Sequence, residues 1–318
     1  MFKKFVTFFL SASLLLSLSG CGNSLSDSYV KNDGSFYFLE ETLNHSDRFA
    51  ANLAIVPKIS YLDQGFHDDV TSELLINNTT NTPVVAVSAH AKIYPASLTK
   101  LMTAYLTAKY AKMDDVVTLD RNLTFESGAQ LLHLRKGDQV TVSELYHGLL
   151  IYSANDCASM LAMHISGSEE KFVTLMNKEA KALGATNTHF QNAHGLHNPD
   201  HYTSAYDLYL MFKANLQYPE FEETISISNY TMKYVRNNIP VTVTFSSTNQ
   251  FLTDEYKVPD GVVMIGGKTG TTQAAGSCLI VMTKNKKNEE FISVVTGALD
   301  KPSLYHTMIK LLQQENKE

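Results

Sequence analysis

Three short stretches of this chain hold the groups that acyl transfer needs: Ser97-Leu98-Thr99-Lys100, Ser153-Ala154-Asn155 and Lys268-Thr269-Gly270. Serine and lysine three apart on a helix project from one face, so the Lys100 amine can reach the Ser97 hydroxyl. A serine hydroxyl is a poor nucleophile until a neighbouring base takes its proton. The second stretch adds a hydroxyl and an amide. The third adds a cation, another hydroxyl and a glycine that lets a second backbone lie alongside. Together these make a nucleophile, a base, a proton relay and an anchor for a carboxylate.

The elements that must position them are partly legible. Ser-x-x-Lys alone is a weak signal, and the chain holds three, at Ser28/Lys31, Ser97/Lys100 and Ser168/Lys171. The first lies in a polar stretch with no helical pattern behind it. The third opens a helix but falls after Ser153-Ala154-Asn155, out of order. Only Ser97 leads into a strong amphipathic run, with Leu98, Leu101, Met102, Tyr105 and Leu106 at helical spacing. Pro95 biases Tyr94 toward extended backbone, so the helix should begin close to Ser97. A serine there has an unpaired backbone N–H that can face an oxyanion. Thr141-Val142-Ser143-Glu144 reads as a capping box opening the helix that delivers Ser153.

The wording around these stretches narrows the reading. Tyr94-Pro95-Ala96-Ser97-Leu98-Thr99-Lys100-Leu101-Met102-Thr103-Ala104 resembles the nucleophile segment of the serine-type D-alanyl-D-alanine carboxypeptidases, the low-molecular-mass penicillin-binding proteins. Gly148 to Asp156 resembles that family's second motif, and Gly266-Gly267-Lys268-Thr269-Gly270-Thr271-Thr272 with Ala275-Gly276-Ser277-Cys278 its third. His194-Gly195-Leu196, His201 to Leu208 and Ser247 to Leu252 are similar to its intervening segments. The likeness covers roughly residues 50 to 300.

The resemblance implies a penicillin-binding/β-lactamase-like transpeptidase fold with an all-helical lobe. It implies a D-Ala-D-Ala stem peptide of peptidoglycan as substrate, β-lactams as inhibitors, and no cofactor or metal. Ser97 would attack the carbonyl between the D-alanines and release the last one; water would then hydrolyse the acyl-enzyme. Lys100 is the candidate base, although the residues alone leave the identity of the acylation base open. Lys268 facing the same pocket should lower the Lys100 pKa by charge repulsion. Ser153 can relay a proton to the leaving amine, and Asn155 can hold Lys100 and the substrate amide. Lys268 and Thr269 would take the terminal carboxylate, and Gly270 would leave room for the substrate backbone. The N–H groups of Ser97 and Thr271 would form the oxyanion hole.

Residues 1–20 read as a leader: Lys3 and Lys4, then an apolar stretch from Phe5 to Leu18 too short to span a bilayer comfortably. It ends in Leu18-Ser19-Gly20-Cys21, which resembles a lipoprotein signal, with Cys21 lipidated and first in the mature chain. The expected location is outside the cytoplasm, held to the bacterial membrane by that lipid. Losing the leader removes two lysines and no acids, taking the formal charge from −6 to −8. No basic stripe suits nucleic acid. Cys157 and Cys278 read as reduced, buried thiols, a disulfide between them being the alternative in an exported protein. The five Asn-x-Ser/Thr sequons (Asn44, Asn77, Asn78, Asn122, Asn229) read as chance.

Residues 21–48, rich in Ser, Asn and Asp, read as a tether, and 49–318 as one catalytic domain. Strands are expected at Ala54–Ile59, Glu73–Asn77, Val84–Ser88, Thr224–Tyr234, Val241–Phe245, Val262–Ile265, Leu279–Thr283 and Phe291–Thr296. Helices are expected at Asp156–Ile165, Glu169–Leu183, Ser204–Leu216 and Pro302–Gln314. That order gives a mixed α/β domain with an antiparallel sheet flanked by helices and no C-terminal β domain. His194, His197, Asp200 and His201 match no metal-site spacing, and Asp207 reads as a loop or cap partner. A class A β-lactamase would need Glu-x-x-x-Asn between the second and third motifs, and no glutamate there qualifies. A non-catalytic penicillin sensor or wall-binding module is the remaining rival.

Overall fold

The computed structural model describes residues 31–32, 35–36, 53–57 and 69–317. Two units separate, residues 1–51 and 52–318. In the first, β1 (Lys31–Asn32) pairs antiparallel with β2 (Ser35–Phe36). The leader, Cys21 and the rest of the tether lie outside the described residues.

In the second unit β3 (Ser72–Asn77) and β4 (Thr82–Val87) precede α1 (Lys100–Tyr110). Then come β5 (Val116–Thr118), β6 (Gln139–Thr141), α2 (Val142–His147), α3 (Asn155–Ser166), α4 (Glu169–Ala182), α5 (Ala205–Asn215) and α6 (Pro219–Ile225). The chain finishes with β7 (Asn229–Arg236), β8 (Ile239–Ser246), β9 (Val263–Thr272), β10 (Gly276–Lys284), β11 (Glu290–Ala298) and α7 (Lys301–Leu312).

Five strands form an antiparallel sheet in the order β4-β3-β11-β10-β9. Leu75, Val85, Leu279, Val281, Phe291 and Val295 meet Leu304, Met308 and Leu311 of α7 on one face. Leu74, Ile76, Ile280, Ile292 and Val294, alternating with them, are equally buried. A sheet covered on both faces reads as near-continuous apolar strands, which is why β10 is Ser-Cys-Leu-Ile-Val-Met-Thr without alternation. Lys268 pairs across the ladder with Ile280 and Gly270 with Cys278.

Helix starts follow their caps. Side chains of Thr141, Ser168, Ser204 and Asp300 accept the N–H of Glu144, Lys171, Asp207 and Ser303 at the first turns of α2, α4, α5 and α7. Pro219 opens α6 with Glu220 and Glu222 in its first turn.

Several expectations change. Thr224 and Ile225, expected to begin a strand, close α6, and the strand starts at Asn229. Burial of Phe221, Thr224 and Ile225 overrides their β preference. Residues 53–57 form no strand. The Ala54 N–H and C=O bond instead to the hydroxyls of Tyr209 and Tyr206 on α5, and 58–59 lie outside the described residues. A second antiparallel sheet, β5-β6-β7-β8, was not expected, because β5 and β6 have three residues each.

Candidate active site

The Ser97 segment begins as a single 3₁₀ turn, Ala96–Thr99, before α1 opens at Lys100. Lys100 is fully buried, and its Nζ donates to Ser97 Oγ at 2.9 Å, Asn155 Oδ1 at 2.7 Å and the His194 carbonyl oxygen at 2.6 Å. Three acceptors match the three N–H donors of an ammonium. A neutral Lys100 has two such donors and a lone pair, which the Ser97 O–H can fill; that swap is the geometry of a general base. Burial first, and the Lys268 charge second, hold the Lys100 pKa well below its ordinary value. The sequence reading named the smaller of these two causes.

Ser153 reaches the site through an unusual turn. Gly148–Tyr152 is π-helical, and Ser153 follows at φ +67°, in left-handed backbone. A single π-helical turn of this kind is frequent at functional sites. α3 then starts at Asn155, whose N–H donates to the Gln130 carbonyl. Asp156 is not a site group. Its carboxylate takes the N–H of Leu132, Leu134 and Cys157, pinning the preceding loop to α3.

On β9, Lys268 is 1% exposed and donates to Ser153 Oγ at 2.8 Å and the Thr269 carbonyl at 2.9 Å. Among the described residues these are its two acceptors, so one ammonium N–H is left for a ligand. Thr269 Oγ1 meets Thr248 Oγ1. Thr271 is exposed at the strand end, opposite Ser277. Gly270 serves a closer neighbour than the one expected. A Cβ there would stand 2.8 Å from the Pro95 oxygen and 3.1 Å from the Ser97 nitrogen, so β9 lies directly on the nucleophile turn. All three motifs therefore meet at one place, through Ser97–Lys100–Asn155 and Ser153–Lys268.

Burial lowers the Lys268 pKa from 10.5 to about 7. Between those values the unfolded chain holds a proton that the folded protein has released, so this group makes stability rise with pH. Replacing Lys268 by methionine removes the contribution. In urea unfolding, the stability difference between Lys268→Met and the native protein should shift in the native protein's favour as pH is raised from about 7 to 10.5. A pH-independent difference contradicts the burial.

The residues that the sequence reading missed act through the backbone. The loop Asn192–Leu196 presents the His194 carbonyl to Lys100. Asn192 Oδ1 takes the N–H of His194 and Gly195, and Thr103 Oγ1 holds the Ala193 oxygen. Glu169, expected only to open a helix, accepts from Ala193 N and Ser159 Oγ and lies 3.4 Å from His194 Nε2. The His194 ring meets Phe125 edge-on, and burial lowers its pKa to about 3. His197 packs against Tyr94, Asp200 gives its carbonyl to His189, and His201 bonds to Thr99. Asp207, in the first turn of α5, accepts from Asn187 N and Thr188 Oγ1 of the preceding loop. Cys157 and Cys278 are free and buried.

The chain is similar in sequence and fold to known proteins. The model of the D-alanyl-D-alanine carboxypeptidase family matches residues 66–300. D-alanyl-D-alanine carboxypeptidase DacF of Bacillus subtilis is 37% identical over 235 residues, covering 72% of this chain and 58% of that protein. DacD of Salmonella typhimurium is 33% identical over 266 residues, covering 80% and 65%. The chain thus spans less than two thirds of the length of these relatives. A mutant of the Streptomyces K15 DD-transpeptidase superposes with a TM-score of 0.71 at 25% identity, over 79% of this chain and 98% of that one. Penicillin binding protein 6B of Escherichia coli gives 0.68 at 30% identity, over 83% and 81%. By the match across most of its length, and by these relatives, the chain belongs to the D-alanyl-D-alanine carboxypeptidase family.

Proposed function

We propose that this protein is a serine D,D-carboxypeptidase that removes the terminal D-alanine from peptidoglycan stem peptides and is acylated by penicillin at the same serine. The observation that carries the reading is the buried Lys100 amine 2.9 Å from Ser97 Oγ, with its pKa held well below the ordinary value. A lysine in that state is a base matched to a serine hydroxyl.

In this reading the terminal carboxylate docks on Lys268 and the Thr269 hydroxyl, with the substrate backbone alongside Gly270. Ser97 Oγ attacks the carbonyl carbon between the D-alanines as its proton passes to Lys100. The oxyanion sits on the N–H groups of Ser97 and Thr271. Asn155 Nδ2, its Oδ1 already engaged by Lys100, donates to the substrate amide. Ser153, bridged to Lys268 at 2.8 Å, relays to the departing amine the proton that Lys100 took, its own hydroxyl proton going out as that one comes in, and D-alanine leaves. Water then adds to the ester carbon as the neutral Lys100 takes one of its protons; the ester bond breaks, the shortened peptide leaves, and Lys100 returns that proton to Ser97 Oγ. A β-lactam follows the first half, its ring nitrogen taking the part of the leaving amine.

We also propose residues 1–20 as a lipoprotein signal, Cys21 as its lipidated residue, 21–48 as a tether and 49–318 as the catalytic domain. This places the enzyme outside the cytoplasm on the bacterial membrane. Two acyl chains hold a protein stably where one is reversible, which is why a diacyl group suits an anchor.

The test is free D-alanine measured over many turnovers with a peptide ending in D-Ala-D-Ala. Steady release with slow penicillin turnover is expected. Penicillin binding without any D-alanine release favours a sensor, and rapid penicillin hydrolysis a β-lactamase; either overturns the proposal.

A further inference from the structure

The residue just before Ser97 stands in backbone that alanine rarely adopts. Ala96 has φ +47°, in the left-handed region where a Cβ crowds the chain. Nothing local to an alanine favours this, so its surroundings must impose it. Two groups grip the Ala96 carbonyl. Thr99 Oγ1 donates to it at 2.8 Å, and the Gly195 backbone passes so near that a Cβ there would stand 1.9 Å from the oxygen.

Thr99 is itself held. Its Oγ1 lies 2.8 Å from His201 Nε2. The Gln191 N–H donates to His201 Nδ1 at 3.2 Å, so that nitrogen carries the lone pair and the ring proton sits on Nε2. Nε2–H therefore donates to Thr99 Oγ1, which directs the threonine's own proton onto Ala96. Thr99 is 0% and His201 2% exposed, so water does not compete for these bonds. Burial keeps the His201 pKa near 3, so the ring stays neutral and the direction of the chain does not change in neutral solution.

We infer that His201 and Thr99 are positioning residues for Ser97: they lock the left-handed turn at Ala96 through its carbonyl and so aim the nucleophile's hydroxyl. Neither touches a reacting atom. The inference rests on Ser97 being the nucleophile, and the experiment separates the two.

The measurement is the first-order acylation rate and the non-covalent affinity for a fluorescent penicillin, with melting curves for every variant. Thr99→Val keeps shape and loses the hydroxyl. It should slow acylation about tenfold, the value of one buried hydrogen bond, with affinity unchanged. Thr99→Ser restores the rate. His201→Gln, whose amide can still donate to Thr99, should stay within about threefold of the native rate, since one bond is weakened rather than lost. His201→Leu should match Thr99→Val, and the double variant should be no slower than either single one. If His201→Leu does not fold, the valine and serine variants at position 99 decide the matter. A native rate in Thr99→Val, or losses that multiply in the double variant, overturns the inference. Absence of any adduct on Ser97 in the native protein instead overturns the assignment of the nucleophile.

Discussion

Lys100→Met is expected to slow acylation by penicillin about 10³-fold while the melting temperature stays within a few degrees of native. Methionine fills nearly the same volume, so the wall beneath Ser97 remains packed. What disappears is the amine that touches Ser97 Oγ, Asn155 Oδ1 and the His194 carbonyl. Removing the buried amine also removes its desolvation penalty, which offsets the three lost hydrogen bonds. Stopped-flow acylation and calorimetry on the same sample check this. Acylation within tenfold of native would mean that another group takes the serine proton.

Gly195→Ala should be the most damaging glycine-to-alanine change among the described residues. Gly195 has φ +91°, and its added Cβ would stand 1.9 Å from the Ala96 oxygen and 2.5 Å from the Ala96 carbon. Both are backbone atoms, so no rotamer change relieves the clash and the loop must retreat. Strained backbone and overpacking together are worth about 3 kcal/mol, or a melting temperature lower by roughly 6–12 °C in a domain of this size. The retreat carries the His194 carbonyl away from Lys100, so acylation should fall about tenfold or more as that hydrogen bond is lost. A native melting temperature and rate would contradict the placement of this loop against the nucleophile turn.

These two residues mark where reading the sequence succeeds and where it stops. Ser97, Lys100, Ser153, Asn155 and Lys268 are legible because their chemistry resides in side chains and their spacing orders them along the chain. His194 contributes a carbonyl oxygen, which every residue has, and Gly195 contributes an absent Cβ, which no spacing announces. Glu169 fails a motif and still braces the loop. The elements divide in a similar way. α4 shows its cap and its period, and β10 shows its apolar run. β5 and β6 are too short to alternate, and the glycines at 266, 267 and 270 disguise most of β9 as a turn. Those glycines are there because neighbouring backbone comes close: a Cβ would meet the Ile225 oxygen at 2.4 Å, the Ile280 oxygen at 2.3 Å and the Pro95 oxygen at 2.8 Å, respectively. Tertiary contact, absent from any local window, decides them.

The most direct test of the site is peptide-mapping mass spectrometry after incubation with labelled penicillin, run on the native protein and on Ser97→Ala. One covalent label per molecule on the peptide containing Ser97, and none in the variant, is the predicted result. A label on any other residue, or an equal yield from Ser97→Ala, would contradict a nucleophile activated by Lys100 where the three motifs meet.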